Sequence, residues 1–246
     1  MSILHNHLRV RKRCARWIPH SLTDEQRRVR VEWCEFILRK FNGGRSKLTW
    51  EILTGDETWI YRYPETKMQS AVSLFPDEST SPKLKRSRSA QKKLVACSFG
   101  KSGHVATIPL KVRRTVSADW CVHHCLPKVF EVWYQRRPKN GTSWPIFFHH
   151  DNAIAHPTAT TVDFLNDSEV QLLPHPSYSP DLSPSDFFLV PEVNKQLKGT
   201  LFESVEDVCR TFTRAVEDIP KSTWTEEWNK LFHRRSKRTA AEGRFF

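Results

Sequence analysis

No apolar run in the 246-residue chain approaches the roughly 18 residues that cross a bilayer, and the N-terminal stretch has no uninterrupted apolar segment of the secretory kind. These absences predict a soluble, intracellular protein with no membrane partner. Paired Cys-x-x-Cys spacing is missing too. The six cysteines, Cys14, Cys34, Cys97, Cys121, Cys125 and Cys209, are scattered, which argues against a zinc module and for reduced, mostly buried thiols. Even the densest group, Cys121-Val-His-His-Cys125, reads better as a core pair one helical turn apart than as a metal site, because no second ligand pair accompanies it. Internal repeats are absent. Acidic side chains are in deficit: 27 Asp and Glu stand against 39 Lys and Arg, a formal charge of +12. Such a balance points to a polyanionic partner, since Lys and Arg replace the counterions condensed along nucleic-acid phosphates.

What is present can build a core, with 38% hydrophobic and 11% aromatic residues. Residues 1–22 are basic and His-rich and end on an extended Trp17-Ile-Pro-His20 element, so they read as a linker or basic arm. Thr23, with Gln26 three positions on, predicts a capped amphipathic helix to about Phe41, stopped by Asn42-Gly-Gly44. Strand-like runs follow at 48–53, 58–63, 93–99 and 104–110, the last two joined by a Gly-Lys-Ser-Gly turn, and predict an antiparallel meander. Between the second and third runs, residues 76–93 are rich in Ser, Pro, Lys and Arg and predict an exposed basic loop. A helix over 117–137, a buried strand at 144–148, a helix over 158–165, a strand at 170–173 and a proline-rich turn region at 174–184 come next. A helix from Ser185 and two amphipathic helices near 204–219 and 222–237 complete a mixed α/β domain.

Three aspartates stand where a strand or turn ends: Asp56 in Thr54-Gly-Asp-Glu, Asp151 in His149-His-Asp-Asn and Asp186 in Pro184-Ser-Asp-Phe. Converging carboxylates suit a pair of hard cations that activate a nucleophile and stabilise a leaving oxygen, and phosphodiester chemistry is the obvious use. Aspartate is also common at turns and helix N-caps, and Asp186 is well placed to be one. Asp181, in Ser179-Pro-Asp-Leu, competes as the third carboxylate. Residue type alone leaves these alternatives open.

Thr54-Gly-Asp-Glu-Thr-Trp-Ile60, His149-His-Asp-Asn-Ala153 and Tyr178-Ser-Pro-Asp-Leu-Ser-Pro-Ser-Asp186 resemble, in order, the three signature blocks of mariner transposases. Thirty-four residues separate Asp151 from Asp186, the interval of the mariner triad, whereas Asp181 would leave twenty-nine. Trp17-Ile-Pro-His-Ser-Leu22 resembles the family's inter-domain linker. The resemblance implies an RNase H-like fold over residues 23–246: a five-stranded mixed sheet with its first three strands antiparallel, flanked by helices. It implies cut-and-paste DNA transposition, with Asp56, Asp151 and Asp186 as catalytic residues holding two Mg²⁺ or Mn²⁺ ions. Activated water would hydrolyse phosphodiesters at the transposon ends, and the freed 3′-hydroxyl would attack target DNA at a TA dinucleotide.

The same resemblance implies double-stranded DNA as partner, admits a homodimer and places the chain in the nucleus. A clamp-type loop at about 64–92 offers Lys83, Lys85, Arg86, Arg88, Lys92 and Lys93 as candidate DNA contacts, with a merely solvated loop as the alternative. His149 and His150 read mainly as structural, with contact to DNA or tuning of the site as the alternative. Glu57 reads as a surface carboxylate, with an outer-shell role as the alternative. The cluster His233-Arg-Arg-Ser-Lys-Arg238 suggests DNA contact, nuclear entry or a plain exposed helix face. The family's two helix-turn-helix units would precede the linker, near which this chain starts. The expectation is a truncated or domesticated copy without sequence-specific end recognition, and a non-catalytic DNA-binding or partner-binding remnant is the rival reading. A generic RNase H-like nuclease is disfavoured by the linker motif and the spacing.

Overall fold

A computed structural model of the chain describes residues 18–61, 92–110, 116–136, 144–150, 159–198, 200 and 202–245. Asp151, Cys14 and residues 62–91, which take in most of the expected basic loop, lie outside the described residues.

Helix α1 (Asp24–Lys40) begins as its sequence predicts: the Thr23 hydroxyl accepts from the Gln26 amide at 3.2 Å and the Gln26 side chain accepts from the Thr23 amide at 2.9 Å. Thr23→Ala is expected to cost about 1 kcal/mol in a denaturant titration. The helix ends on Asn42, Gly43 and Gly44, all at positive φ. Gly44 has a second constraint, since a Cβ there would stand 2.8 Å from the Phe232 ring.

Five strands follow: β1 (Ile52–Tyr61), β2 (Lys92–Gly100), β3 (Gly103–Pro109), β4 (Ile146–His150) and β5 (Val170–Leu173). They form one sheet in the order β3-β2-β1-β4-β5, with β1, β2 and β3 antiparallel and β4 and β5 parallel to β1. The 48–53 run does not form a strand of its own. Ser46 accepts from the Leu48 amide, Thr49 donates back to the Ser46 carbonyl, and these local bonds wind Lys47–Glu51 into a 3₁₀ turn. The two predicted strands thus become one ten-residue strand, with Asp56 at its middle instead of at a strand end. Lys92 and Lys93 belong to β2.

Side chains alternate across the sheet, and each face has its own core. Ile52, Ile60, Val95, Cys97, Phe99 and Phe147 pack under α1, α5 (Val190–Leu197), α6 (Val205–Glu217) and α7 (Lys221–Ala240). Leu53, Ala96, Val105, Ile146, Phe148 and Val170 face α2 (Ala118–Trp120), α3 (Leu126–Arg136) and α4 (Ala159–Asp167). Two π-helical turns, Cys121–Cys125 joining α2 to α3 and Ser185–Leu189 leading into α5, each lie just ahead of a helical proline, Pro127 and Pro191. A proline lacks the N–H of a regular ladder and crowds the carbonyl four residues back, so a widened turn upstream accommodates it.

Candidate active site

The alternation sets where the carboxylates point. Asp56 follows Ile52 and Thr54 on the α1 and α5 side, and its charge acts on the thiol of Cys97, which lies on that face. Its Oδ1 accepts from the Glu57 amide at 2.7 Å. The turn that carries Asp186 packs against β1 on the same side, with Phe188 and Leu189 in that core and Asp186 itself exposed. Asp186 does not cap its helix: the Ser183 hydroxyl takes the capping role, accepting from the Asp186 amide at 3.4 Å.

Asp181 is committed elsewhere. Its two oxygens receive Arg30 Nη1 at 3.1 Å and Nη2 at 2.9 Å, and Arg238 Nη2 lies 2.5 Å from Oδ2. Both arginines are buried, at 0% and 1% exposure, so this carboxylate is the counter-charge of an interior pair of guanidiniums. Arg30 also donates to the Ser179 hydroxyl and the Gly243 carbonyl, tying α1 to the Tyr178–Asp186 block and to the C-terminal end. His20, in the linker-like segment, stacks on Tyr178 with ring centroids 4.0 Å apart.

On the other face, Glu57 is no surface carboxylate. Its side chain is 12% exposed and stands 4.0 Å from His150 Nε2, in a recess also lined by Cys121, Cys125, Phe148 and Leu165. Desolvation, helped by the Glu57 charge, raises Cys121 to about 12 and pushes Cys125 up as well, so both stay protonated thiols. Cys34 and Cys97 are likewise buried and free, and Cys209 is partly buried. His149 points the opposite way from His150 and is held well below the ordinary imidazole range by burial, with His175, Arg235 and His150 adding to the effect. Its contribution to stability is therefore lost as pH falls from the unfolded value near ~6.5 towards the lower folded value.

The basic candidates separate. Lys92 Nζ sits 4.1 Å above the exposed Trp59 ring, while Lys93 is half-buried and faces Glu206 at 3.4 Å. Lys83, Lys85, Arg86 and Arg88 lie outside the described residues. The 233–238 cluster is not one exposed face: Arg235 and Arg238 are core residues, at 2% and 1% exposure, and desolvation lowers Arg235 to about 9. Sequence reading missed Arg30, Arg235 and His175. The first two carried a signal, since Arg30 shares the helical stripe of Trp33, Cys34 and Ile37, and Arg235 that of Trp228, Leu231 and Phe232.

Among the described residues, no group of three or more His, Cys, Asp or Glu side chains is gathered closely enough to hold a metal ion, and no helix is long and apolar enough to cross a membrane. Asp56 and Asp186 share one side of the sheet; the third proposed ligand, Asp151, falls outside the described set.

A helix-covered mixed sheet of five strands, antiparallel through its first three, is the RNase H-like fold. Within that class, sequence and fold alike match the catalytic domain of mariner transposases. The Mariner Mos1 transposase of Drosophila mauritiana is 27% identical over 218 residues, 88% of this chain and 58% of that protein. The human histone-lysine N-methyltransferase SETMAR is 27% identical over 236 residues, 96% of this chain and 34% of that protein. The chain thus spans little more than half of one curated relative and about a third of the other. No protein-family model matches the sequence. The crystal structure of the Mos1 catalytic domain superposes with a TM-score of 0.75 at 27% identity, covering 94% of this chain and all of that one. The Mos1 strand transfer complex and the Mos1 paired end complex with Mn each give 0.84 at 27% identity, covering 99% and 100% of this chain and 69% and 71% of theirs.

Proposed function

We propose that this chain is the catalytic core of a mariner-type transposase, a metal-dependent nuclease and strand transferase acting on double-stranded DNA, with Asp56, Asp151 and Asp186 as its metal ligands. The observation that carries this reading is the parallel register of β1 and β4, in which Gly55 pairs with His150. Asp151 follows His150 in the chain just as Asp56 follows Gly55, and the turn that carries Asp186 packs against β1 on the Asp56 side. The Arg30 and Arg238 contacts to Asp181 favour Asp186 as the third member.

Oxygen donors of this kind fit Mg²⁺ or Mn²⁺, and related Mos1 structures were solved with each metal. When bound, two such ions would supply Lewis-acid activation of the attacking water and neutralisation of charge at phosphorus. The chain's own part would be to hold Asp56 at the middle of β1 and Asp186 on the turn packed against that strand, with the segment before Thr23 serving as a linker. The paired-end assemblies of Mos1 support transposon-end DNA and a second copy of the chain as partners, and DNA as substrate supports the nucleus as compartment.

Nicking of supercoiled DNA in the presence of Mn²⁺, compared with the same assay on Asp151→Ala, tests the reading. Product from the native chain alone is the expected result; equal product from both would leave only a DNA-binding remnant. Binding itself should be phosphate-driven. With about six phosphates neutralised, affinity is expected to fall about a thousandfold between roughly 50 and 200 mM salt. A filter-binding salt titration checks this, and tight salt-resistant binding to one sequence would overturn it.

A further inference from the structure

A sealed chain of hydrogen bonds runs between the segments that bear the three aspartates. Thr54 Oγ1 lies 3.1 Å from His149 Nδ1, His149 Nε2 lies 3.0 Å from His175 Nδ1, and His175 Nε2 lies 3.0 Å from the Ser179 carbonyl oxygen. These residues are 2%, 3%, 6% and 2% exposed. Trp33 of α1 closes the chain off from solvent, with its ring centroid 5.7 Å from His149 and 5.6 Å from His175, and its indole N–H donates to the Pro174 carbonyl.

The direction of every bond follows from one end. A carbonyl only accepts, so His175 must carry a proton on Nε2, and a neutral ring then has Nδ1 as its acceptor. His149 then donates from Nε2, its own Nδ1 is bare, and the Thr54 hydroxyl donates to it. Two imidazoles thus link β1, β4 and the turn region after β5. Each attachment lies close to a carboxylate. Thr54 is two residues before Asp56 on the same strand face, His149 is two residues before Asp151, and Ser179 opens the stretch that ends with Ser183 capping the Asp186 amide.

We propose that His149 and His175 are positioning residues, whose hydrogen-bonded chain holds the three carboxylate-bearing segments at the separation that divalent-cation binding requires. The proposal rests on the reading of Asp56, Asp151 and Asp186 as ligands. Sheet pairing sets β1 against β4 residue by residue, but the 174–184 stretch leaves the sheet after β5. Apolar packing alone would fill the space beneath it without fixing its direction, whereas hydrogen bonds lose strength steeply when bent. Groups that orient metal ligands from behind commonly govern affinity ten- to a hundredfold.

The test is Mn²⁺ affinity, measured by calorimetry on the full chain for the native protein, Asp56→Asn, His149→Leu, His149→Gln and His175→Phe, with folding checked by thermal unfolding. The expected result is strong binding to the native chain, loss with Asp56→Asn and about tenfold weakening with His149→Leu. His149→Gln should recover much of that loss, because its amide can still donate to His175. Unchanged affinity in His149→Leu, with Asp56→Asn still defective, would overturn the positioning role and leave the triad standing. Equal binding by the native chain and Asp56→Asn would instead remove the triad and the proposal with it. Should His149→Leu fail to fold, His175→Phe asks the same question, since it keeps a ring in place but removes both the donor to the Ser179 carbonyl and the acceptor for His149. Imidazole nitrogen shifts of the native protein give a readout that needs no variant: both rings should be protonated at Nε2 only, and a proton on His149 Nδ1 would refute the chain.

Discussion

Asp56→Asn is expected to reduce metal-dependent DNA nicking by at least about a thousandfold, equivalent to about 4 kcal/mol of transition-state stabilisation. The substitution is nearly isosteric, and the asparagine carbonyl oxygen can keep the bond from the Glu57 amide that the aspartate accepts at 2.7 Å. Stability should therefore stay within about 1 kcal/mol of the native value. Only the charge is lost, and charge is what a hard cation demands of its ligands. Nicking rates at saturating Mn²⁺, with unfolding midpoints measured alongside, separate the two effects. Residual activity above about a tenth of native would mean that the cations are held elsewhere.

Asp181→Ala should show the opposite behaviour. It removes the carboxylate that faces Arg30 and Arg238, leaving two interior guanidiniums without their counter-charge, at an expected cost of about 3–5 kcal/mol. That is a large fraction of the about 5–15 kcal/mol by which domains are usually stable, so the variant should unfold at markedly lower denaturant while the molecules still folded keep their nicking rate. Asp186→Ala, at an exposed position five residues on, should do the reverse and abolish nicking with little change in midpoint. If Asp181→Ala were stable and inactive, the assignment of the third ligand would have to move.

The amino-acid pattern disclosed most of the scaffold because local chemistry decided it. The Thr23 and Gln26 capping pair, the Gly-Lys-Ser-Gly hairpin and the short apolar run of β5 each act through neighbouring residues, and each appears in the folded chain. The errors fall where a longer-range or competing bond won. Leu48 looks like the start of a strand until the Ser46 hydroxyl captures its amide. Glu57 looks like a surface acid because nothing nearby in sequence reveals the recess beside Cys121 and Cys125. The 233–238 cluster looks uniformly basic and exposed, although Arg235 and Arg238 point inward with the spacing of Leu231 and Phe232. Spacing and block order favoured Asp186 over Asp181, but only the folded chain shows what occupies Asp181. The His149–His175 chain was out of reach, because its partners come from separate segments and meet only in three dimensions.

Because β1 is flanked by packed helices on both sides, the sidedness of its residues has an evolutionary corollary. Losing a single codon between Ile52 and Asp56 would carry the aspartate round to the Cys121 and Cys125 side and bring its glutamate neighbour to the other. Such a copy could still be translated in frame and keep much of its architecture, yet its chemistry would be gone.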